Sequence, residues 1–157
     1  MKKPNWPLLL LSVVLAELIG ISSAYFTSDS AVIYAQLKRP PLSPPSWLFG
    51  VVWPILYAFM GIAAYRVYTH SKAARKEVAL AIYGLQLLIN FSWTIIFFRF
   101  GSLWGAVAAI ILLDLLVVAT QNIFIKIDRP AGHLLTPYIL WLLFATYLAI
   151  GIAIVNK

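Results

Sequence analysis

The amino-acid sequence predicts an all-α membrane protein, a bundle of five transmembrane helices that forms a single domain over residues 1–157. Of the 157 residues, 62% are hydrophobic and 11% are charged, whereas soluble domains contain roughly 45–50% and about 25%. Five segments stay apolar over about 20 residues, the length that a helix needs to cross the hydrocarbon layer. No stretch of about ten residues alternates between apolar and polar side chains, as a transmembrane barrel requires.

The five predicted spans are joined by short links, apart from one long loop. The spans cover residues 6–26, 45–66, 78–98, 102–125 and 134–155, and the long loop covers residues 27–44. A signal peptide is the alternative for the first span, because lysines precede it and Ser22-Ser23-Ala24 resembles a cleavage site. Glu17 interrupts that apolar run, which is also long enough to cross a bilayer, so we favour a membrane helix.

Basic residues are distributed unequally between the two sides of the predicted bundle. Because five spans place the chain ends on opposite sides, eight basic residues fall on the N-terminal side and four on the other. The larger set is Lys2, Lys3, Arg66, Lys72, Arg75, Lys76, Lys126 and Arg129, and the smaller set is Lys38, Arg39, Arg99 and Lys157. Cytoplasmic loops carry the excess of Lys and Arg. We therefore expect a cytoplasmic N-terminus, with the long loop outside.

Charge and composition exclude several other classes of function. The formal net charge is +7, but the basic residues are separated by apolar spans and form no continuous stripe, so we expect a bilayer and no nucleic acid. Cysteine is absent, which excludes disulfides, thiolate metal sites and thiol nucleophiles. His70 and His133 fall at predicted loops or helix ends. We therefore expect no metal site and no axial ligation of haem iron.

Two acidic residues lie deep inside predicted spans. Glu17 and Asp114 have no evident basic partner at the same depth, and ionisable side chains within a membrane are costly and commonly functional. A proton path is one interpretation, but it needs a chain of such groups. For Asp114 we favour packing toward the protein interior, with hydrogen bonds from tryptophan or backbone donors.

The third span carries a polar and aromatic stripe. Tyr83, Gln86, Asn90, Trp93 and Phe97 recur at offsets of 0, 3, 7, 10 and 14, which places them on one helix face. Because hydrocarbon penalises unpaired amides, Gln86 and Asn90 must face protein or a cavity. Hydrogen bonding between helices is one interpretation. The aromatic neighbours favour another, a small-molecule pocket that is mostly apolar with a few polar anchors.

Aromatic residues also share single faces on two other spans. These residues are Phe49, Trp53 and Tyr57 in the second span, and Pro137, Trp141, Phe144 and Ala145 in the fifth. Trp6, Trp47 and Trp104 lie near span ends, where tryptophan commonly marks the headgroup region. Trp53 and Trp141 lie a turn or more inside their spans, where that explanation is weaker. These faces are therefore candidates for the same pocket.

Small residues recur on the fourth span. Gly101, Gly105 and Ala109 stand at i, i+4 and i+8, a spacing that lets helices approach closely. This stripe fits either packing within the chain or a homodimer contact. We favour the homodimer.

Together these residues resemble the tryptophan-rich sensory protein family, also called translocator protein or peripheral-type benzodiazepine receptor. The resemblance extends over all five spans. The motifs that carry it are Trp47-Leu48-Phe49-Gly50-Val51-Val52-Trp53 and Leu56-Tyr57; Tyr83, Gln86-Leu87, Asn90, Trp93 and Phe97-Phe98; Leu113-Asp114; and Pro137-Tyr138, Trp141, Phe144-Ala145-Thr146 and Leu148. Each motif is ordinary alone, and their order and spacing together are specific.

The resemblance implies a membrane receptor or sensor of bacterial type, resident in the cell membrane and often dimeric. Family members bind protoporphyrin IX, haem, isoquinoline carboxamides and benzodiazepines, and eukaryotic relatives bind cholesterol. Carried to matching positions, it implies a pocket lined by Trp53, Tyr57, Asn90, Trp93, Trp141, Phe144 and Ala145, with the loop from Tyr34 to Pro44 as its lid. Porphyrin is then a ligand whose carboxylates meet Asn90, indole N–H groups, Lys38 or Arg39, and no cofactor is required.

Two other functions stay open. Light- and oxygen-dependent breakdown of protoporphyrin has been attributed to the family, and Trp53 and Trp141 would then be the catalytic residues, since indole is readily oxidised. No conventional acid–base or nucleophile arrangement accompanies them. Transport of porphyrin or sterol is weaker, because five spans do not divide into two equal repeats. Ala149 also stands where the family commonly has Asn, and the sterol-recognition pattern expected at the C-terminal end is missing.

Overall fold

A computed structural model describes residues 4–70 and 75–156 of the chain. Within these residues, five helices are long and apolar enough to cross a membrane. The helices are α1 (Trp6–Phe26), α2 (Ser30–Gln36), α3 (Trp47–Thr69), α4 (Lys76–Thr94), continued by a π-helical segment (Ile95–Arg99), α5 (Leu103–Ile127), α6 (Arg129–His133) and α7 (Thr136–Val155). The predicted all-α membrane fold is confirmed. Lys2, Lys3, Lys72 and Lys157 lie outside the described residues.

Two short helices occupy segments that the sequence predicts as links. α2 lies inside the predicted loop 27–44, where it buries Tyr34. It has only seven residues, too few to register as an apolar span. α6 begins with Arg129 and Pro130, and proline is tolerated in a first helical turn because the N–H that it lacks has no partner there. The proline of this link therefore lies at the start of a short helix.

Helices α1 and α3 pack closely against each other. A Cβ at Gly61 would lie 2.5 Å from the Cα of Val13, so only glycine fits at this point. The hydroxyl of Ser12 donates to the Gly61 carbonyl over 2.7 Å. At the start of α1, the backbone N–H of Asn5 donates to the Tyr65 hydroxyl of α3 over 2.9 Å. α1 is otherwise little buried and lies at the periphery of the bundle.

Polar contacts join the remaining helices at different depths. Asp114 of α5 accepts a 2.8 Å hydrogen bond from the Thr146 hydroxyl of α7, so Asp114 does accept an interhelical bond, although the donor is a threonine. Arg66 of α3 pairs with Asp128, directly before α6. These pairs hold α3, α5 and α7 together.

The residues of the predicted dimer stripe have neighbours within the chain. Gly101 has φ +61°, a left-handed conformation that glycine adopts without a Cβ penalty, and it separates the π-helical segment from α5. A Cβ at Gly105 would lie 2.6 Å from Ser102 Oγ and 3.4 Å from Ile96 Cγ2. The backbone conformation therefore accounts for Gly101 and packing within the chain for Gly105, and the homodimer stays a prediction.

Candidate ligand-binding pocket

A cavity of about 430 Å³ lies between α1, α3, α4 with its π-helical extension, and α7. Its lining comes from the last turns of α1, α4 and α7 and from the first turns of α3, so the cavity lies in one half of the bundle. α2 contributes Ser30, Ala31 and Tyr34. The cavity therefore has its floor near the middle of the bundle and α2 beside its mouth.

The floor of the cavity is a hydrogen-bonded polar cluster. The Tyr57 hydroxyl donates to Asn90 Oδ1 over 2.9 Å, and Asn90 Nδ2 donates to the Tyr138 hydroxyl over 2.8 Å. Tyr138 donates in turn to Gln86 Oε1 over 3.1 Å, and Gln86 Nε2 contacts the Met60 sulfur at 3.7 Å. Of this cluster, Tyr57 and Asn90 also line the cavity. The stripe of the third span therefore serves both interpretations, since its amides form hydrogen bonds between helices and Asn90 also lines a cavity.

The walls of the cavity are aromatic. Trp53 of α3 lies 5.7 Å from the Tyr57 ring and 6.2 Å from the Tyr138 ring, measured between centroids. On the opposite wall, Trp93 lies 5.7 Å from Phe97. The wider π-helical turn that begins at Ile95 directs both Phe97 and its neighbour Phe98 toward the cavity. Such faces suit a flat ligand, because aromatic rings attract one another in stacked and edge-on arrangements.

The structure brings together six of the eight residues predicted as ligand contacts. The six that line the cavity are Tyr34, Trp53, Tyr57, Asn90, Trp93 and Ala145. Trp141 and Phe144 lie outside the lining, and Trp141 contacts Phe49, which does line the cavity. The Trp141 ring is 5.7 Å from Phe49 and 5.6 Å from Phe144. Ligand contact by these residues stays a prediction.

Two buried polar atoms of lining residues have no hydrogen-bond partner in the described part of the chain. They are Trp93 Nε1 and Ser23 Oγ. Leaving a buried donor unpaired costs about 1–3 kcal/mol, so both atoms gain from a bound partner. Each has almost no accessible surface, and a neighbouring side chain must move before a ligand reaches it. Trp141 Nε1 is also unpaired, but Trp141 does not line the cavity. Asn90, in contrast, already uses its oxygen and one of its amide protons within the cluster.

The loop after α2 is fastened to α7 at the cavity end of the bundle. Pro40 packs against Gly151, where a Cβ would lie 2.6 Å from the proline ring. The Tyr147 hydroxyl donates to the Pro41 carbonyl over 2.8 Å, and the Tyr34 hydroxyl donates to the Pro44 carbonyl over 3.1 Å. The prolines thus supply rigid packing surfaces and free carbonyl acceptors. Lys38 and Arg39 remain exposed beside the mouth, with the Arg39 guanidinium 5.2 Å from the centroid of the Tyr34 ring.

The contribution of α1 to the cavity is the part that sequence reasoning missed. Glu17, Gly20, Ala24 and Thr27 line it and recur at helical spacing, so one face of α1 carries them. That spacing was visible in the sequence as a row of small and polar residues. In the sequence alone, Glu17 stands out only as an isolated charge.

Comparison with known proteins agrees with this architecture. The family model described as TspO/MBR family matches residues 12–155. The chain is 35% identical to the tryptophan-rich protein TspO of Chlorobaculum tepidum, over 94% of this chain and 95% of that protein. It is 36% identical to the protein of the same name from Archaeoglobus fulgidus, over 94% and 96%. It is 32% identical to the translocator protein of Bos taurus, over 90% and 86%.

The fold and the sequence comparison agree on one family. The five membrane-spanning helices and the aromatic cavity between them occur in a chain whose sequence matches the family model from α1 to the last residue of α7. This chain belongs to the TspO/MBR family of integral membrane proteins.

Proposed function

We propose that the protein is a membrane receptor or sensor that holds a flat, hydrophobic aromatic ligand in this cavity. The ligand classes that fit best are porphyrins, such as protoporphyrin IX or haem, and drug-like isoquinoline carboxamides or benzodiazepines. One observation carries the proposal: Trp53, Trp93 and Phe97 from two helices face one cavity at a depth where aromatic residues are not needed to mark the headgroup region.

The size and polarity of the cavity support a ligand of this kind. Its volume of about 430 Å³ falls in the range of about 300–1,000 Å³ that small-molecule sites occupy. The unpaired Trp93 Nε1 offers a donor to a carbonyl or carboxylate of the ligand. Lys38 and Arg39, exposed beside the mouth, offer charge to acidic groups that project from it. A porphyrin combines a large apolar face with carboxylates at one edge and so uses all of these features.

A binding titration with matched tryptophan variants tests the proposal. We expect Trp53→Ala to weaken protoporphyrin IX binding by about 1 kcal/mol or more, because a buried aromatic anchor is lost. The control is Trp104→Ala, since Trp104 is 55% exposed on the outside of the bundle. Asn90→Ala should also weaken binding, although it breaks the polar cluster as well. Equal affinity for wild type and Trp53→Ala would place the ligand elsewhere.

Light-dependent breakdown of bound porphyrin is a second candidate function. It is favoured by the contacts of Trp53, an oxidisable indole that both lines the cavity and touches the rings of Tyr57 and Tyr138. The protein would confine the porphyrin while light and oxygen supply the chemistry. Under illumination with oxygen, Trp53→Phe should slow the loss of the porphyrin absorption band. Trp141→Phe should have less effect, because Trp141 does not line the cavity. Equal rates in wild type and Trp53→Phe would argue against a role for this indole.

We also propose that the N-terminus is cytoplasmic in a bacterial cell membrane and that the cavity mouth lies on the other side. Among the described residues, Arg66, Arg75, Lys76, Lys126 and Arg129 are at the end of the bundle away from the cavity. Lys38, Arg39 and Arg99 are at the cavity end. The excess of basic residues belongs on the cytoplasmic side.

A further inference from the structure

The geometry points to Glu17 as the group that binds an N–H donor, preferably a cationic one, on the inner end of the ligand. This inference rests on the proposed function of the cavity and makes it more specific. It assigns a direction to the bound molecule, with a nitrogen-bearing end toward the middle of the bundle and an acceptor-bearing end toward the mouth.

Glu17 lies at the deep end of the cavity. It follows Trp6 by eleven residues and precedes Phe26 by nine in α1, so it is about 16 Å from one end of the helix and about 14 Å from the other. Glu17 and Gly20 both line the cavity, and a Cβ at Gly20 would touch the Tyr57 ring. The carboxylate therefore lies close to the polar floor, at mid-membrane depth.

Within the described residues, the protein supplies no partner for this carboxylate. The one ion pair found there, between Arg66 and Asp128, is at the other end of the bundle. The Tyr57 hydroxyl has a single proton, and that proton is donated to Asn90. Asp114 differs, because its carboxylate accepts from Thr146. An unpaired carboxylate away from water is costly, so a donor that enters the cavity is the natural partner of Glu17.

A backbone carbonyl adds a second acceptor to the same cavity. Pro54 lies inside α3 and has no N–H, so the carbonyl of Gly50, four residues earlier, loses its usual helical donor. Both residues line the cavity, and nothing lies within 4 Å of where a Gly50 Cβ would be. The wall and floor thus offer acceptors, while the cations Lys38 and Arg39 are confined to the mouth.

Acceptors deep in the cavity and cations at its mouth together favour one class of ligand. A flat aromatic molecule that carries an amine, an ammonium or a ring N–H satisfies Glu17 through a charge-assisted hydrogen bond, the stronger kind of hydrogen bond in proteins. Its carbonyl or carboxylate groups then meet Trp93 Nε1 or the cations at the mouth. A purely anionic flat molecule would leave Glu17 without a partner.

Two probes with the same ring system test the inference. 1-Pyrenemethylamine carries an ammonium group at neutral pH, and 1-pyrenemethanol is a neutral molecule of nearly equal size. Binding is measured by energy transfer from tryptophan to pyrene, with the full chain in phosphatidylcholine vesicles and empty vesicles as the background. We expect wild type to bind the amine about tenfold more tightly than the alcohol, the scale of one hydrogen bond to a charged group.

The variants Glu17→Gln and Asp114→Asn form the matched pair, since each removes one membrane carboxylate. Glu17→Gln should bring the two affinities within about twofold, because it weakens binding of the ammonium far more than binding of the alcohol, whose neutral hydroxyl is the poorer donor to Glu17. Asp114→Asn should keep the tenfold preference. The inference is overturned if wild type shows no preference, if the preference survives in Glu17→Gln, or if Glu17→Gln loses both probes. Protoporphyrin IX binding without an amine preference would leave the proposed function standing. If neither protoporphyrin IX nor either pyrene probe bound, the inference about Glu17 and the proposed function would both be contradicted.

Discussion

Tyr138 joins α7 to both α4 and α3 in the polar floor. It is fully buried, it accepts from Asn90 and it donates to Gln86, and its ring touches Trp53. A hydroxyl both donates and accepts, so one side chain of α7 satisfies two amides of α4. Without it, two polar groups would be left unpaired in a region that water does not reach.

We predict that Tyr138→Phe lowers the free energy of unfolding by about 1–3 kcal/mol, because Gln86 Oε1 and Asn90 Nδ2 each lose a partner. Thermal unfolding in detergent measures the change. Tyr25→Phe is the control, since Tyr25 is 79% exposed and should leave the midpoint unchanged. Equal midpoints for wild type and Tyr138→Phe would mean that the cluster contributes little to stability.

Gly61 sets the distance between α1 and α3, and its replacement should be costly. In Gly61→Ala the added methyl would meet the Val13 backbone, so we expect a lower thermal midpoint and weaker binding at the cavity, which α1 helps to line. Gly84→Ala is the matched control, because nothing lies within 4 Å of its Cβ position. There alanine should stabilise the helix by up to about 1 kcal/mol. The same midpoint in both variants would contradict the close contact.

At the scale of elements, the segment from α2 to α3 is held to the last turns of α7. Asn156 forms two hydrogen bonds with the backbone of Lys38, donating to its carbonyl over 2.7 Å and accepting from its N–H over 3.0 Å. Pro40 on Gly151 and Tyr147 on the Pro41 carbonyl extend this attachment along one face of α7. The loop therefore keeps its place at the cavity end of the bundle because α7 fixes it, rather than through regular structure of its own.

We predict that Asn156→Ala releases the loop and raises the rate of trypsin cleavage after Lys38, because two backbone hydrogen bonds are lost. Cleavage after Arg39 is blocked by the proline that follows, so the product is specific. Mass spectrometry of timed digests measures the rate, and Asn122→Ala, at an exposed position of α5, is the control. An unchanged rate at Lys38 would show that these bonds do not hold the loop.

At the scale of the whole molecule, the cavity gives the bundle two unlike ends. One end carries the mouth, α2 and the fastened loop, and the other carries the Arg66–Asp128 pair and α6. Most of the basic residues lie at the end of the bundle opposite the mouth. The orientation in the membrane thus decides from which compartment a ligand arrives.

Single cysteines test this orientation directly, because the natural chain contains none. Asp29→Cys lies beside the mouth and His133→Cys at the opposite end, both at exposed positions. With a membrane-impermeant maleimide on intact bacterial cells, we expect labelling of Asp29→Cys at once. His133→Cys should react only after the cells are permeabilised. The reverse pattern would contradict the proposed topology.

The sequence by itself determined the five spans, because membrane crossing requires a long apolar segment and that requirement is local. It also determined that Gln86 and Asn90 face inward, since lipid cannot pair an amide. Short α2 was hidden in the predicted loop, because its seven residues are held by Tyr34 and by contacts with residues far along the chain.

Only the tertiary structure decided which inward-facing residues reach the cavity. Trp53 and Trp141 look equivalent in sequence, yet Trp53 lines the cavity, whereas Trp141 only contacts the lining residue Phe49. Glu17 looks like an isolated charge, yet the close approach of α1 and α3 turns it toward that space. Helix periodicity fixes the face on which a side chain lies, whereas the neighbour that meets this face depends on how separate helices pack.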